Sequence, residues 1–205
     1  MSEIEHWQHV YSTKSTHQVG WYAPHLDTSI SWITALNLKP NDPIIDVGGG
    51  ASTLVDDLLD QGHREISVLD LSDRALSVVR QRLGTRSNLV SWMQGDVTEV
   101  QLRSRHFELW HDRAVFHFLI EPEQQLKYKD HLLQALKAGG HFIIGAFELE
   151  APPQCSGLPV QRYSVALLND IFGTEFKLKR YQKEIHNTPS GVAQQYLYCQ
   201  FQRTA

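Results

Sequence analysis

The sequence predicts a doubly wound α/β fold: a mostly parallel, seven-stranded sheet with a C-terminal antiparallel hairpin strand. Three observations predict it. From Pro43 onward, short β-rich runs alternate with segments of helical spacing. The first run ends in three consecutive glycines, Gly48 to Gly50. The last two strand-like stretches are joined by Asn187-Thr188-Pro189-Ser190-Gly191, a turn that folds them back on each other.

The elements follow in order. Pro43 to Val47 is apolar except for Asp46 and suits a buried parallel strand. Ala51 to Gln61 places Leu54, Val55, Leu58 and Leu59 on one helical face, with Gly62 as the stop. Glu65 to Leu71 is the second strand. Ser72 and Asp73 cap a helix over Ala75 to Leu83, closed by Gly84. Leu89 to Gln94 is the third strand and Phe107 to His111 the fourth. Ala114 to Leu119 and Glu123 to Lys137 read as helix, the latter ended by Gly139-Gly140, and His141 to Phe147 is the fifth strand. Ser164 caps a helix to Phe172, before strands over Glu175 to His186 and Ala193 to Arg203. Residues 1–38 are expected to form an N-terminal cap, holding Trp7, Tyr11, Trp21, Tyr22 and a helix-like Leu26 to Leu38. Residues 39–205 form the core of a single domain.

Bulk properties narrow the function. A chain of 205 residues with 41% hydrophobic and 20% charged residues suits one globular core. A formal net charge of −4 gives no reason to expect a nucleic-acid backbone as partner. Lys177, Lys179, Arg180 and Lys183 alternate with other residues and read as the solvated side of a strand. Cys155 and Cys199 make neither a CxxC pair nor a disulfide framework, which fits a reducing, cytoplasmic compartment. Met1 to Val10 is polar and not a signal peptide, and no apolar run is long enough to cross a bilayer. The histidines complete no ligand pattern, so no metal is expected. A monomer or weak dimer is expected.

In an open α/β sheet, ligands bind at the carboxyl ends of the strands where strand order reverses. Here the first strand ends in Asp46-Val47-Gly48-Gly49-Gly50-Ala51-Ser52. Glycines let a ligand approach the backbone closely, although a plain turn needs them too. Asp70 ends the second strand, 22 residues after Gly48, where a carboxylate can accept from two ribose hydroxyls. Asp96 follows Gly95 at the end of the third strand. It can accept from the amino group of adenine while the Val97 amide reaches a ring nitrogen. Each acid alone reads equally as a cap or turn residue. Successive strand ends bearing a glycine loop, an acid and a Gly-Asp pair form a pattern.

With these residues the chain resembles the class I S-adenosylmethionine-dependent methyltransferases, a Rossmann-like family. The resemblance rests on Ile45-Asp46-Val47-Gly48-Gly49-Gly50-Ala51-Ser52, Val68-Leu69-Asp70-Leu71-Ser72, Gln94-Gly95-Asp96-Val97 and Phe107-Glu108-Leu109-Trp110-His111-Asp112-Arg113, and covers residues 40–150 firmly. Trp110 to Leu119, Trp21-Tyr22 and His186-Asn187-Thr188-Pro189 are similar to a bacterial, small single-domain subgroup. The resemblance implies S-adenosylmethionine as cofactor and methyl transfer by in-line displacement. It implies that Asp46 and Gly48, Gly49 and Gly50 hold the methionine part, that Asp70 and Leu71 flank the ribose, and that Asp96 and Val97 hold adenine. Ser52, standing where the family has glycine, Trp110 and Tyr22 join this cofactor-binding set.

His111 is the candidate catalytic residue, because histidine can accept a proton near neutral pH. A hydrogen bond to backbone or cofactor is the competing role. His117 reads as a buried core histidine. Arg113 can pair with an anionic substrate or with a neighbouring acid. Trp21 and Tyr22 can close over a cation or simply pack. Glu148, at the end of the fifth strand, is expected to point toward the cleft. The acceptor is read as a small molecule or a protein lysine. No Asn/Asp-Pro-Pro-Tyr run follows the fourth strand, which argues against base or glutamine amino groups. Two rival readings stand beside this one. A nucleotide-cofactor-dependent oxidoreductase shares the fold, but Gly48-x-Gly50-x-x-Thr53 lacks a third glycine. A non-catalytic S-adenosylmethionine-binding protein would keep the site without turnover.

Overall fold

In the computed structural model, which describes residues 2–204, two helices precede the sheet: α1 (Glu3–Thr13) and α2 (Asp27–Thr34). Next come β1 (Ile44–Val47), α3 (Leu54–Asp60), β2 (Ile66–Asp70), α4 (Asp73–Leu83), β3 (Val90–Gln94) and β4 (Phe107–Arg113). They are followed by α5 (Pro122–Ala135) and β5 (Leu136–Phe147). A short ribbon, β6 (Gln154–Cys155) with β7 (Leu158–Pro159), leads to α6 (Val165–Phe172) and the terminal pair β8 (Phe176–Asn187) and β9 (Ala193–Arg203). The main sheet has seven strands in the order β3-β2-β1-β4-β5-β9-β8. The first five are parallel, and β9 runs antiparallel to both β5 and β8. Strand order therefore reverses between β1 and β4, which places a crevice at their carboxyl ends.

Period-two alternation divides each strand between two cores. Ile44, Ile66, Val68, Leu109 and Ile143 pack with Trp32 and Ile33 of α2, Leu54 and Leu58 of α3, and Leu76 and Val79 of α4. Ile45, Val47, Leu69, Trp110 and Ile144 face the other way, onto Tyr128 and Leu132 of α5 and Leu168 and Phe172 of α6. Removing each large side chain from water contributes about 2 kcal/mol, which makes this alternation the main determinant of strand register.

Several expected boundaries shift. The helix expected over Ala114 to Leu119 is a single 3-10 turn, Phe116–Phe118, because Ala114 takes a left-handed φ of 70°. The helix expected to run to Lys137 stops at Ala135, and Gly139-Gly140 lie inside β5 rather than ending that helix. A Cβ at Gly140 would come within 3.1 Å of the Glu108 carbonyl, so the glycine allows β4 and β5 to approach. Helix α1 was signalled by Ser2-x-x-Glu5. Ser2 Oγ accepts from the Glu5 amide at 3.2 Å and the Glu5 carboxylate accepts from the Ser2 amide at 2.8 Å, a capping box. Among the described residues, no helix is long and apolar enough to cross a membrane.

Candidate functional site

Two adjoining cavities open at the β1–β4 switch point. The larger, partly open to solvent, is bordered by Val47, Gly48, Leu69, Asp70, Leu71, Gly95, Asp96 and Val97 from the first three strand ends. Its opposite wall comes from Glu3, Trp7 and Tyr11 of α1, with Trp21. Arg113 at the end of β4, with Ala114, Val115 and Phe118 just after it, adds a further side. The smaller cavity is bordered by Asp46, Gly48, Gly49, Ser52, Tyr22 and His111, and shares Tyr11, Trp21 and Arg113 with the first. The structure thus gathers Asp46, Gly48, Gly49, Ser52, Asp70, Leu71, Asp96, Val97, Tyr22 and His111 around one cleft.

The glycine loop is shaped by crowding. Gly48 has a φ of 69°, and a Cβ there would lie 2.0 Å from Val115 Cγ2. A Cβ on Gly49 would lie 2.5 Å from Asp46 Oδ2, and one on Gly50 would lie 2.5 Å from Asp70 Oδ2. Two carboxylates therefore press against the loop from below, and only glycine leaves them room. Gly50 itself borders neither cavity; its backbone backs onto Asp70.

Asp46 and His111 are register partners on β1 and β4, both on the α2 side of the sheet. Asp46 Oδ1 and His111 Nδ1 are 2.7 Å apart, and His111 Nε2 is 2.8 Å from Ser29 Oγ of α2. Both ring nitrogens are thus engaged inside the protein, and His111 is fully buried. That corrects the expectation of a free proton acceptor: the ring has no nitrogen left to take a substrate proton. Asp46 Oδ2, by contrast, is buried without a hydrogen-bond partner among the described residues. Such an oxygen is costly unless something donates to it.

Asp70 is also buried, and its Oδ1 accepts from the Ser72 amide at 2.8 Å. Burial pushes its carboxyl up to about 7, and nearby Asp46 adds to the rise, while the Ser72 and Gly50 amides oppose it. At the third strand end, Asp96 Oδ1 accepts from the Thr98 amide at 2.8 Å and from the Thr98 hydroxyl at 2.7 Å. The Val97 carbonyl accepts from His131 Nδ1 at 2.8 Å, which fixes the backbone of this turn. Ser52 Oγ accepts from the Leu54 amide, the first of α3, at 3.1 Å.

Trp110 borders neither cavity, which corrects its assignment to the ligand site. Its neighbours Leu109 and His111 face α2, so alternation turns Trp110 to the α5 side, where its indole donates to Tyr128 Oη at 2.9 Å. Asp112 points the same way. It accepts from the Tyr128 hydroxyl at 2.7 Å and from the Val115 and Phe116 amides at 3.0 and 3.1 Å. These bonds hold the turn that carries Val115 and Phe118 to the cleft. Glu148 also departs from expectation: it is 2.7 Å from Lys183 Nζ and borders neither cavity. His117 is buried, accepts from the Phe147 amide at 3.3 Å, and is held neutral by burial, which pushes its imidazole down to about 3.

The roof of the cleft was the least legible part. Trp7, Tyr11, Trp21 and Phe118 meet in edge-to-face and tilted pairs, with Trp7 at 5.5 Å from Trp21 and 5.1 Å from Phe118. The available signal was the spacing of Glu3, Trp7 and Tyr11, which puts them on one side of α1. Ser29 gave no signal. His186, within the tail motif, donates through Nε2 to the Gly20 carbonyl at 2.8 Å and so tethers the segment that carries Trp21. Among the described residues, no group of three or more His, Cys, Asp or Glu is placed to hold a metal ion.

The family model described as a methyltransferase domain matches residues 44–140. Proteins named eEF1A lysine and N-terminal methyltransferase, from Bos taurus and Homo sapiens, are each 22% identical over 146 residues, 68% of this chain. The chain spans only about a fifth of the length of these curated relatives. Among solved structures, an S-adenosylmethionine-dependent methyltransferase from Anabaena variabilis superposes with a TM-score of 0.75 at 14% identity, covering 99% of this chain and 96% of its own. A protein solved in work on conversion of a disulfide bond into a thioacetal group during echinomycin biosynthesis gives a TM-score of 0.79 at 18% identity, covering 98% and 93%. The 1,6-didemethyltoxoflavin-N1-methyltransferase of Burkholderia thailandensis, solved with bound 1,6-didemethyltoxoflavin and S-adenosylhomocysteine, gives 0.69 at 19% identity, covering 98% and 84%. At these identities the structural likeness carries the fold.

Proposed function

We propose that this chain is a class I S-adenosylmethionine-dependent methyltransferase whose cleft binds S-adenosylmethionine and positions an acceptor for methylation. The observation that carries this reading is the convergence of three strand ends, bearing Asp46 with the glycine loop, Asp70, and Gly95 to Val97, on one cleft.

The residues present fit that cofactor. Asp46 Oδ2 is a buried acceptor lacking a donor, and an amino group is a donor. Gly48 and Gly49 leave bare backbone at the cavity edge, where any side chain would collide. Asp70 is a buried carboxyl whose charged form is undersupplied with donors, and a ribose diol offers two. Asp96 and Val97 supply the acceptor and the backbone edge that an adenine requires. S-adenosylmethionine supplies a methyl group already activated on a sulfonium.

The chain's own work is binding and orientation. Asp46 is held by His111, which is itself held by Ser29, so the carboxylate meets its ligand in one fixed pose. His111 acts as a positioning residue. The α1 aromatics Trp7 and Tyr11 form a wall of the larger cavity. For the acceptor, the eEF1A relatives are named for lysine and N-terminal methylation, and the Burkholderia thailandensis neighbour was solved with 1,6-didemethyltoxoflavin. A protein lysine and a small molecule are the two classes these names suggest.

Isothermal titration with S-adenosylhomocysteine tests the cofactor site; absence of binding to the intact protein overturns the proposal. Transfer of labelled methyl from S-adenosylmethionine into fractionated metabolites and proteins then separates an enzyme from a binding protein.

A further inference from the structure

We propose that Arg113 is the acceptor-recognition residue of this cleft, and that the acceptor is a small planar molecule bearing an anionic oxygen rather than a lysine ammonium. The inference rests on the cofactor reading above and adds the acceptor class.

Arg113 ends β4 beside the glycine loop and borders both cavities. Its Nε donates to Tyr198 Oη at 2.9 Å and its Nη1 to the Trp21 carbonyl at 3.0 Å. Its guanidinium lies over the Tyr196 ring, 4.5 Å from the centroid. All three partners are neutral. They fix the plane of the guanidinium without cancelling its charge. Among the described residues, Asp46 pairs with His111, Asp70 accepts from Ser72 and Asp96 from Thr98; Glu3 borders the larger cavity, and Glu184 is near enough to favour the charge on Arg113 without an ion-pair contact. Among the described residues no carboxylate comes within ion-pair distance of Arg113, and Nη2 has no hydrogen-bond partner.

A half-buried guanidinium without a directly paired counter-ion is expensive to keep, and an anion that meets its free donors recovers that cost. The charge is permanent, because arginine does not deprotonate in proteins. A lysine ammonium brought into the same walled space would meet like charge at reduced dielectric. The aromatic walls alone would welcome a cation; Arg113 reverses that preference. Tyr11 and Trp21, which like Arg113 border both cavities, offer flat surface where the two meet, which suits a conjugated ring better than a flexible chain.

The test uses the intact protein saturated with S-adenosylhomocysteine. Benzoate, 4-hydroxybenzoate, indole-3-carboxylate and picolinate are titrated against their uncharged amides and against Nα-acetyl-lysine. At least one acid is expected to bind about tenfold or more tightly than its amide. Arg113→Gln should erase that difference while S-adenosylhomocysteine affinity stays within about twofold. Arg113→Lys, which keeps the charge but loses the planar fork, should retain part of it and serves if Arg113→Gln fails to fold. Binding of none of the acids at millimolar concentration, equal binding of acid and amide, or preference for Nα-acetyl-lysine overturns the proposal. So does a tenfold loss of S-adenosylhomocysteine affinity in Arg113→Gln, which would give the guanidinium to the cofactor. Failure of the wild-type protein to bind S-adenosylhomocysteine is a separate result and sinks the cofactor reading instead.

Discussion

Asp46 and His111 stand side by side on neighbouring strands, Oδ1 2.7 Å from Nδ1, and neither is open to solvent. The imidazole bridges Asp46 to Ser29 and thereby ties α2 to the floor of the cleft. His111→Ala would leave a buried carboxylate without its donor, at a cost of about 1–3 kcal/mol. We expect lower thermal stability together with weaker S-adenosylhomocysteine binding. His111→Asn can still donate toward Asp46, so it should recover much of both. If the ring were instead the proton acceptor of the reaction, Asn would bind cofactor normally and lose turnover as severely as Ala.

Asp70 makes cofactor binding pH-dependent. Its folded carboxyl is raised from 3.8 to about 7 by burial, with Asp46 reinforcing the shift. A raised acid contributes stability that is fully present below the unfolded value of 3.8 and is lost as pH rises through about 7. Ligand-free protein should therefore lose a share of its thermal stability between about pH 4 and 7. Ribose hydroxyls donate to the ionised form, so binding should release a proton near pH 7 and tighten with rising pH. Calorimetry in buffers of different ionisation enthalpy measures that proton. Asp70→Asn should abolish its release; identical proton release in both proteins would assign it elsewhere.

Sequence order alone could place Asp46, Asp70 and Asp96, because a strand end is marked by where an apolar run meets glycine or a cap. It could not place Trp110 or His111. Both lie one residue from Leu109 or Asp112 in a run without polar alternation, so the face each side chain takes depends on strand register. The same limit hid Ser29, whose only relation to the site is spatial. Helix Ala114 to Leu119 failed for a local reason: Asp112 captures the Val115 and Phe116 amides, and Ala114 turns left-handed to allow it. The aromatic roof was visible as composition but not as geometry, since three of its four rings come from outside the strand–helix repeat.

Gly48 tests the packing of the loop. Its φ of 69° and the 2.0 Å approach of a built Cβ to Val115 are two separate penalties. Gly48→Ala should cost about 3 kcal/mol, lowering Tm by roughly 6–12 °C. Adding Val115→Ala should relieve the collision but not the backbone strain, so only part of the loss should return. Full recovery in the double variant would show that φ at this position is not limiting.

Tyr128 links the core to the cleft through one oxygen. Its hydroxyl accepts from Trp110 Nε1 at 2.9 Å and donates to Asp112 at 2.7 Å, and all three side chains are buried. Tyr128→Phe removes both bonds at once, leaving the indole N–H unsatisfied and Asp112 Oδ2 with only the Phe116 amide as donor. The loss should be about 2–4 kcal/mol, larger than for a single buried hydrogen bond. Asp112 already has its carboxyl lifted to about 6 by burial, with the Tyr128 bond among the contacts that restrain the rise. Removing that bond should push it higher and loosen its hold on the Val115 and Phe116 amides, so cofactor affinity should fall although Tyr128 borders neither cavity. Trp110→Phe in the same background removes the orphaned indole donor and should restore stability without restoring affinity, because only the Asp112 branch reaches the cleft. Recovery of both by the double variant would mean that the two branches are not separable.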